Sequence, residues 1–131
     1  MKLVVLLLIS CAMLACSKES AESAIQSGSG SLTGTWKMSE MRADPGDGSG
    51  KFLPTHLDVT ITFTANGAYN DSRDDRFNRY TILSADTIKL FHNTHQLRML
   101  LAIQELSASG LTYFCNWPWC GGPYGEKFVR L

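Results

Sequence analysis

In residues 57–64, Leu57, Val59, Ile61 and Phe63 alternate with Asp58, Thr60, Thr62 and Thr64. A side-chain period of two puts one set on a buried face and the other in water, so the pattern predicts a strand. Asn66-Gly67 follows closely, a dipeptide that is a strong hairpin signal, and Ala68-Tyr69 begins the return strand.

Similar short runs occupy the rest of the chain: 33–42, 79–84, 86–93, 97–106, 111–115 and 126–131. Polar, Gly-rich or Pro-rich turns separate them, as in "DPGDGSG", "NDSRDD", "HNTH" and "SASG". The run 97–106 has helix-forming residues, but Leu97, Met99, Leu101 and Ile103 also alternate, and strands flank it on both sides; we read it as a strand. With both arms of the Asn-Gly hairpin this gives about eight strands joined by short turns, which predicts an all-β fold. The simplest closure is a small antiparallel up-and-down barrel, because closing the sheet removes its exposed edges.

The N-terminus has a different pattern. Lys2 precedes an uncharged run from Leu3 to Ala15, about 13 residues, which suits a signal-peptide core and is too short to span a bilayer as a helix. Ala15 directly before Cys16, at the end of that run, resembles the lipobox of bacterial lipoproteins. The resemblance implies that the Cys16 thiol receives a lipid and that the signal, residues 1–15, is removed. A second box ends at Cys11, but cleavage there leaves a very short signal and an apolar "AMLA" behind it, so Cys16 is preferred. Residues 16–31 are rich in Ser, Gly and Glu and are expected to be a lipidated cysteine and flexible tether. The expected location is the bacterial outer membrane, lipid-anchored, on its periplasmic face or at the cell surface.

That placement bears on the two remaining cysteines. Cys115 and Cys120 lie five apart around "NWPW". Their spacing is not the Cys-x-x-Cys of a thioredoxin-like redox motif, and a zinc site would need two further ligands, for which His92 and His95 are the nearest nominees. In an oxidising compartment the pair reads as a disulfide. Such a bridge would hold Trp117 and Trp119 on a short loop and stabilise by about 2 kcal/mol.

At "LTGTWKMSE" and "GEKFVRL" the sequence resembles the lipocalins. Gly34-Thr35-Trp36 is similar to the Gly-x-Trp that opens their first strand, and Arg130 sits where that family packs a cation over the tryptophan. The ordered set of lipobox, tether, "LTGTW", "ITFTANGAY", cysteine loop and "EKFVRL" is similar to small lipocalin-like domain lipoproteins of Gram-negative bacteria. The resemblance covers residues 32–131 and implies a lipocalin-like β-barrel domain. It is shorter than a typical lipocalin, and no terminal helix is evident.

Charge and chemistry narrow the function. Twelve basic residues balance twelve acidic ones, with no basic stripe, which argues against nucleic acid as a partner. Asp44, Asp47 and Ser49 in "DPGDGSGKF" could suggest calcium, but Gly46 falls where an EF-hand needs a ligand and no late Glu follows. Asp71, Asp74 and Asp75, interleaved with Arg73 and Arg76, read as a solvated turn, and no strand-borne Gly-x-Ser-x-Gly elbow or phosphate loop is present. The expectation is a non-enzymatic protein without metal or cofactor. It would bind a small apolar or amphipathic molecule inside the barrel, with Trp36, Met38, Val59, Ile61 and Phe63 as interior wall. The alternative is a filled barrel that presents Trp117 and Trp119 to an envelope protein or glycan.

Overall fold

The computed structural model describes residues 30–115 and 124–131. Nine strands follow in order: β1 (Gly34–Arg42), β2 (Leu53–Pro54), β3 (Thr60–Phe63), β4 (Tyr69–Asp71), β5 (Arg79–Ser84), β6 (Thr87–Phe91), β7 (Arg98–Leu106), β8 (Gly110–Cys115) and β9 (Tyr124–Arg130). Every pairing is antiparallel, and the sheet order is β4-β3-β1-β9-β8-β7-β6-β5, with short β2 attached to β1. The ends of that order also meet. Ala68 bridges Arg79, the Tyr69 N–H donates to the Asn78 carbonyl at 3.0 Å, and the Tyr80 N–H donates to the Gly67 carbonyl at 3.0 Å. The result is the expected all-β, nearly closed up-and-down barrel of eight strands, with 97–106 a strand.

Three bulges adjust the alternation. Between Met38 and Glu40 the β1–β9 register shifts, so Met41, not Glu40, continues the inward face of Trp36 and Met38. Between Ile103 and Glu105 the β7–β8 register shifts likewise, and Leu106 turns inward in place of Glu105. The third lies between Ile82 and Ser84 at the β5 end. An extra residue on one strand reverses the facing of everything after it. The hairpin strand is shorter than its pattern suggested: it starts at Thr60, and Leu57 is exposed, its N–H turned back onto the Thr55 hydroxyl at 3.1 Å.

One end of the barrel is packed around Trp36. Its indole N–H donates to the Leu32 carbonyl at 2.9 Å, and the Arg130 guanidinium lies 4.0 Å from the ring centroid. Arg130 also donates to the Ala108 carbonyl at 2.8 Å, the Thr33 carbonyl at 2.9 Å and the Ser31 carbonyl. Ser31, expected in the tether, is therefore already tied to the barrel.

Outside the barrel, Gly125 makes room for Phe114 and Phe52, whose rings meet edge to face at 5.7 Å. The turn at 44–50 folds around one carboxylate. Asp44 accepts from the N–H groups of Gly46, Gly48 and Gly50 and from Arg42, which together lower its pKa, the Gly46 bond foremost. Its oxygens are thus engaged in turn geometry.

Candidate functional site

The other end of the barrel contains a cavity of about 440 Å³. Its apolar wall includes Phe77, Leu97, Met99 and Leu101, and its polar wall is a network centred on Arg73 and Glu126. Strand register sets the first half of that network. Tyr113 on β8 and Glu126 on β9 are cross-strand partners, both inward, and the Tyr113 hydroxyl donates to a Glu126 oxygen. Tyr69 on β4 pairs with Phe63 on β3, and two residues later Asp71 takes the same facing, its carboxylate accepting from the Tyr69 hydroxyl at 3.3 Å.

A turn supplies the second half. The Asp71 carboxylate caps the Arg73 N–H at 2.9 Å, an Asx turn that folds the arginine side chain back on the aspartate. The Arg73 Nε donates to Asp71 Oδ1 at 3.0 Å and its Nη2 to Oδ2 at 2.6 Å. The same guanidinium reaches across the barrel to Glu126, with Nη1 on Oε1 and Nη2 on Oε2 at 3.2 Å. Asp74 and Arg76 repeat the motif one step on: the Arg76 N–H donates to Asp74 at 3.0 Å and its Nη2 at 2.8 Å. This second copy stays at the rim, the Arg76 side chain 62% exposed against 33% for Arg73.

The electrostatics follow from burial. Glu126 is 2% exposed, so its charge depends on these partners in place of water. Burial opposes the charge on Arg73, but hydrogen bonds to Asp71 and Glu126 outweigh it and hold the guanidinium protonated, its pKa above the ordinary value. Burial raises the phenol pKa values of Tyr69 and Tyr113, with the neighbouring charges of Asp71 and Glu126 respectively adding to it. Tyr124 is pushed up to about 12, by burial first and then by Glu126. The tyrosines are therefore neutral donors at physiological pH.

This placement differs from the sequence reading. Trp36, Met38, Val59, Ile61 and Phe63 are all buried, but none of them lines the cavity; they belong to the packed core. Alternation identified the inward face without saying which part of it is filled. Asp71, read as part of a solvated turn, is largely withdrawn from water, and Arg73 is partly so, because the Asx turn aims them inward. The available signal was the tandem Asp-x-Arg of "DSRDDR", in which each aspartate can cap and pair with the arginine two residues on.

His92 and His95 stack at 4.4 Å in an exposed turn. Among the described residues no group of three His, Cys, Asp or Glu side chains could hold a metal ion. Cys115 is disulfide-bonded and lines the cavity. Cys120, its expected partner, lies outside the described residues, as do Trp117, Trp119, Cys11 and Cys16.

No protein-family model, no curated protein and no solved structure matches this chain.

Proposed function

We propose that this protein is a lipid-anchored, lipocalin-like carrier of the bacterial envelope that binds a small amphipathic molecule without transforming it. The observation that supports binding is the cavity at one end of the barrel, about 440 Å³ with apolar side chains on one wall and an ordered polar network on the other. A volume in this range with few, well-placed polar groups suits one small ligand. The anchor and the outer-membrane location rest on Ala15-Cys16 and the apolar run before it.

Native mass spectrometry of the full chain purified from cell envelopes tests the carrier reading. A co-purifying small mass that leaves on organic extraction, or stoichiometric uptake of added 1-octanol, is the expected result. A chain that carries nothing and takes up nothing would overturn it and favour the filled barrel that engages an envelope protein or glycan. For the anchor, Cys16→Ser is expected to abolish labelling by a palmitate analogue. Label that persists in this variant and vanishes in Cys11→Ser would move the lipid to the other cysteine.

A further inference from the structure

The charges around the cavity do more than line it. Asp71, Asp74 and Glu126 face Arg73 and Arg76, so three carboxylates against two guanidiniums leave one net negative charge. The inner donors, those of Arg73, Tyr69 and Tyr113, are already engaged. Arg73 spends Nε, Nη1 and Nη2 on Asp71 and Glu126, and the hydroxyls of Tyr69 and Tyr113 donate to those same carboxylates. These donors thus turn onto the network's own carboxylates, and Arg76, which gives Nε and Nη2 to Asp74, stays at the exposed rim.

Taking the cavity as the binding site, on which this step rests, we infer that its ligand is a cation: a protonated amine carrying an apolar alkyl or aryl portion. The charge of an ammonium group offsets the surplus carboxylate of the lining. A fatty-acid anion meets the opposite conditions. It would compete with Asp71 and Glu126 for Arg73 and add a second negative charge beside the buried Glu126, which is unfavourable. The site discriminates by repulsion as well as by attraction.

Three probes of one chain length separate this inference from the reading beneath it. Octylammonium, octanoate and 1-octanol are titrated calorimetrically at neutral pH into the full chain held in a non-ionic amphipol, with amphipol alone as blank. The neutral alcohol reports the cavity whatever its charge. The expected result is that 1-octanol binds and that octylammonium binds at least about tenfold more tightly than octanoate, one decade being about 1.4 kcal/mol. Binding of 1-octanol with octanoate equal to or tighter than octylammonium would overturn the amine inference and leave the carrier reading standing. If none of the three binds, both fall. Glu126→Gln should narrow the octylammonium-to-octanoate ratio. Because that variant disturbs a buried ion pair, Asp74→Asn at the rim serves as the second and should narrow the ratio in the same direction. An unchanged ratio in a folded Asp74→Asn protein would contradict a role for the surplus charge.

Discussion

Arg73, in the turn between β4 and β5, is ion-paired with Glu126 of β9, 53 positions away in sequence and nearly opposite on the barrel circumference. The pair ties two walls together through the interior. Its energetic value lies in completeness: Glu126 also accepts from Tyr113, and Arg73 is forked on Asp71. Removing one partner leaves the others desolvated. Glu126→Gln is therefore expected to destabilise the fold by about 2–4 kcal/mol. In a double-mutant cycle with Tyr113→Phe, measured by urea unfolding, the coupling should be about 1 kcal/mol or more. Additive effects would mean that the two side chains act independently.

The tyrosines give the network a pH signature. Tyr69, Tyr113 and Tyr124, three of the chain's four tyrosines, hold their protons more tightly when folded than an ordinary phenol at 10. A group whose pKa is raised by folding stabilises the fold fully below its unfolded value. That contribution is lost as pH rises through the folded one. Stability is thus expected to fall progressively above about pH 10. The phenolate absorbance of the native protein should also be far from complete at about pH 11, then appear as the chain unfolds. A titration of all four tyrosines near 10 with the fold intact would contradict the buried placement.

At the packed end, Gly34 and Arg130 depend on each other. Gly34 has a φ of 146°, and a Cβ there would collide with the Arg130 guanidinium. That guanidinium is held over Trp36 and by the carbonyls of Ser31, Thr33 and Ala108. Gly34→Ala should therefore cost about 1–3 kcal/mol, by backbone strain and by displacing Arg130. Arg130→Lys keeps the charge but loses the planar fork, and should cost about 1–2 kcal/mol. Thermal unfolding of both variants checks this. Near-wild-type stability in Gly34→Ala would show that the contact is dispensable.

Much of the barrel was legible in the sequence because alternation and turn chemistry act locally. The Asn66-Gly67 hairpin needs only its own residues: the Gly67 N–H closes the turn on the Thr64 carbonyl at 3.0 Å, and Gly67 alone among them takes a positive φ, 81°. The pairing of Trp36 with Arg130 followed from a resemblance, and the structure places them in contact. The bulges were not legible, because the facing of Met41 and Leu106 is decided by their partners on β9 and β8. The site was hidden for a related reason. "DSRDDR" is a polar turn by composition, and Glu126 is one charge in a terminal strand. Only the closure that brings β4 and β5 opposite β9 makes them a pair. Trp36 and Phe63 are interior, as alternation says, but large rings near Arg130 and Tyr80 fill their part of the barrel.

The central claim is that a ligand occupies the cavity beside Arg73 and Glu126 and leaves the Trp36 end packed. The five methionines allow a direct reading, since Met99 lines the cavity while Met38 lies in the core. With methyl-labelled methionine and nuclear magnetic resonance, addition of 1-octanol is predicted to shift the Met99 methyl in proportion to occupancy and leave Met38 in place. A saturable shift at Met38 with Met99 unmoved, or no shift at either, would contradict the account.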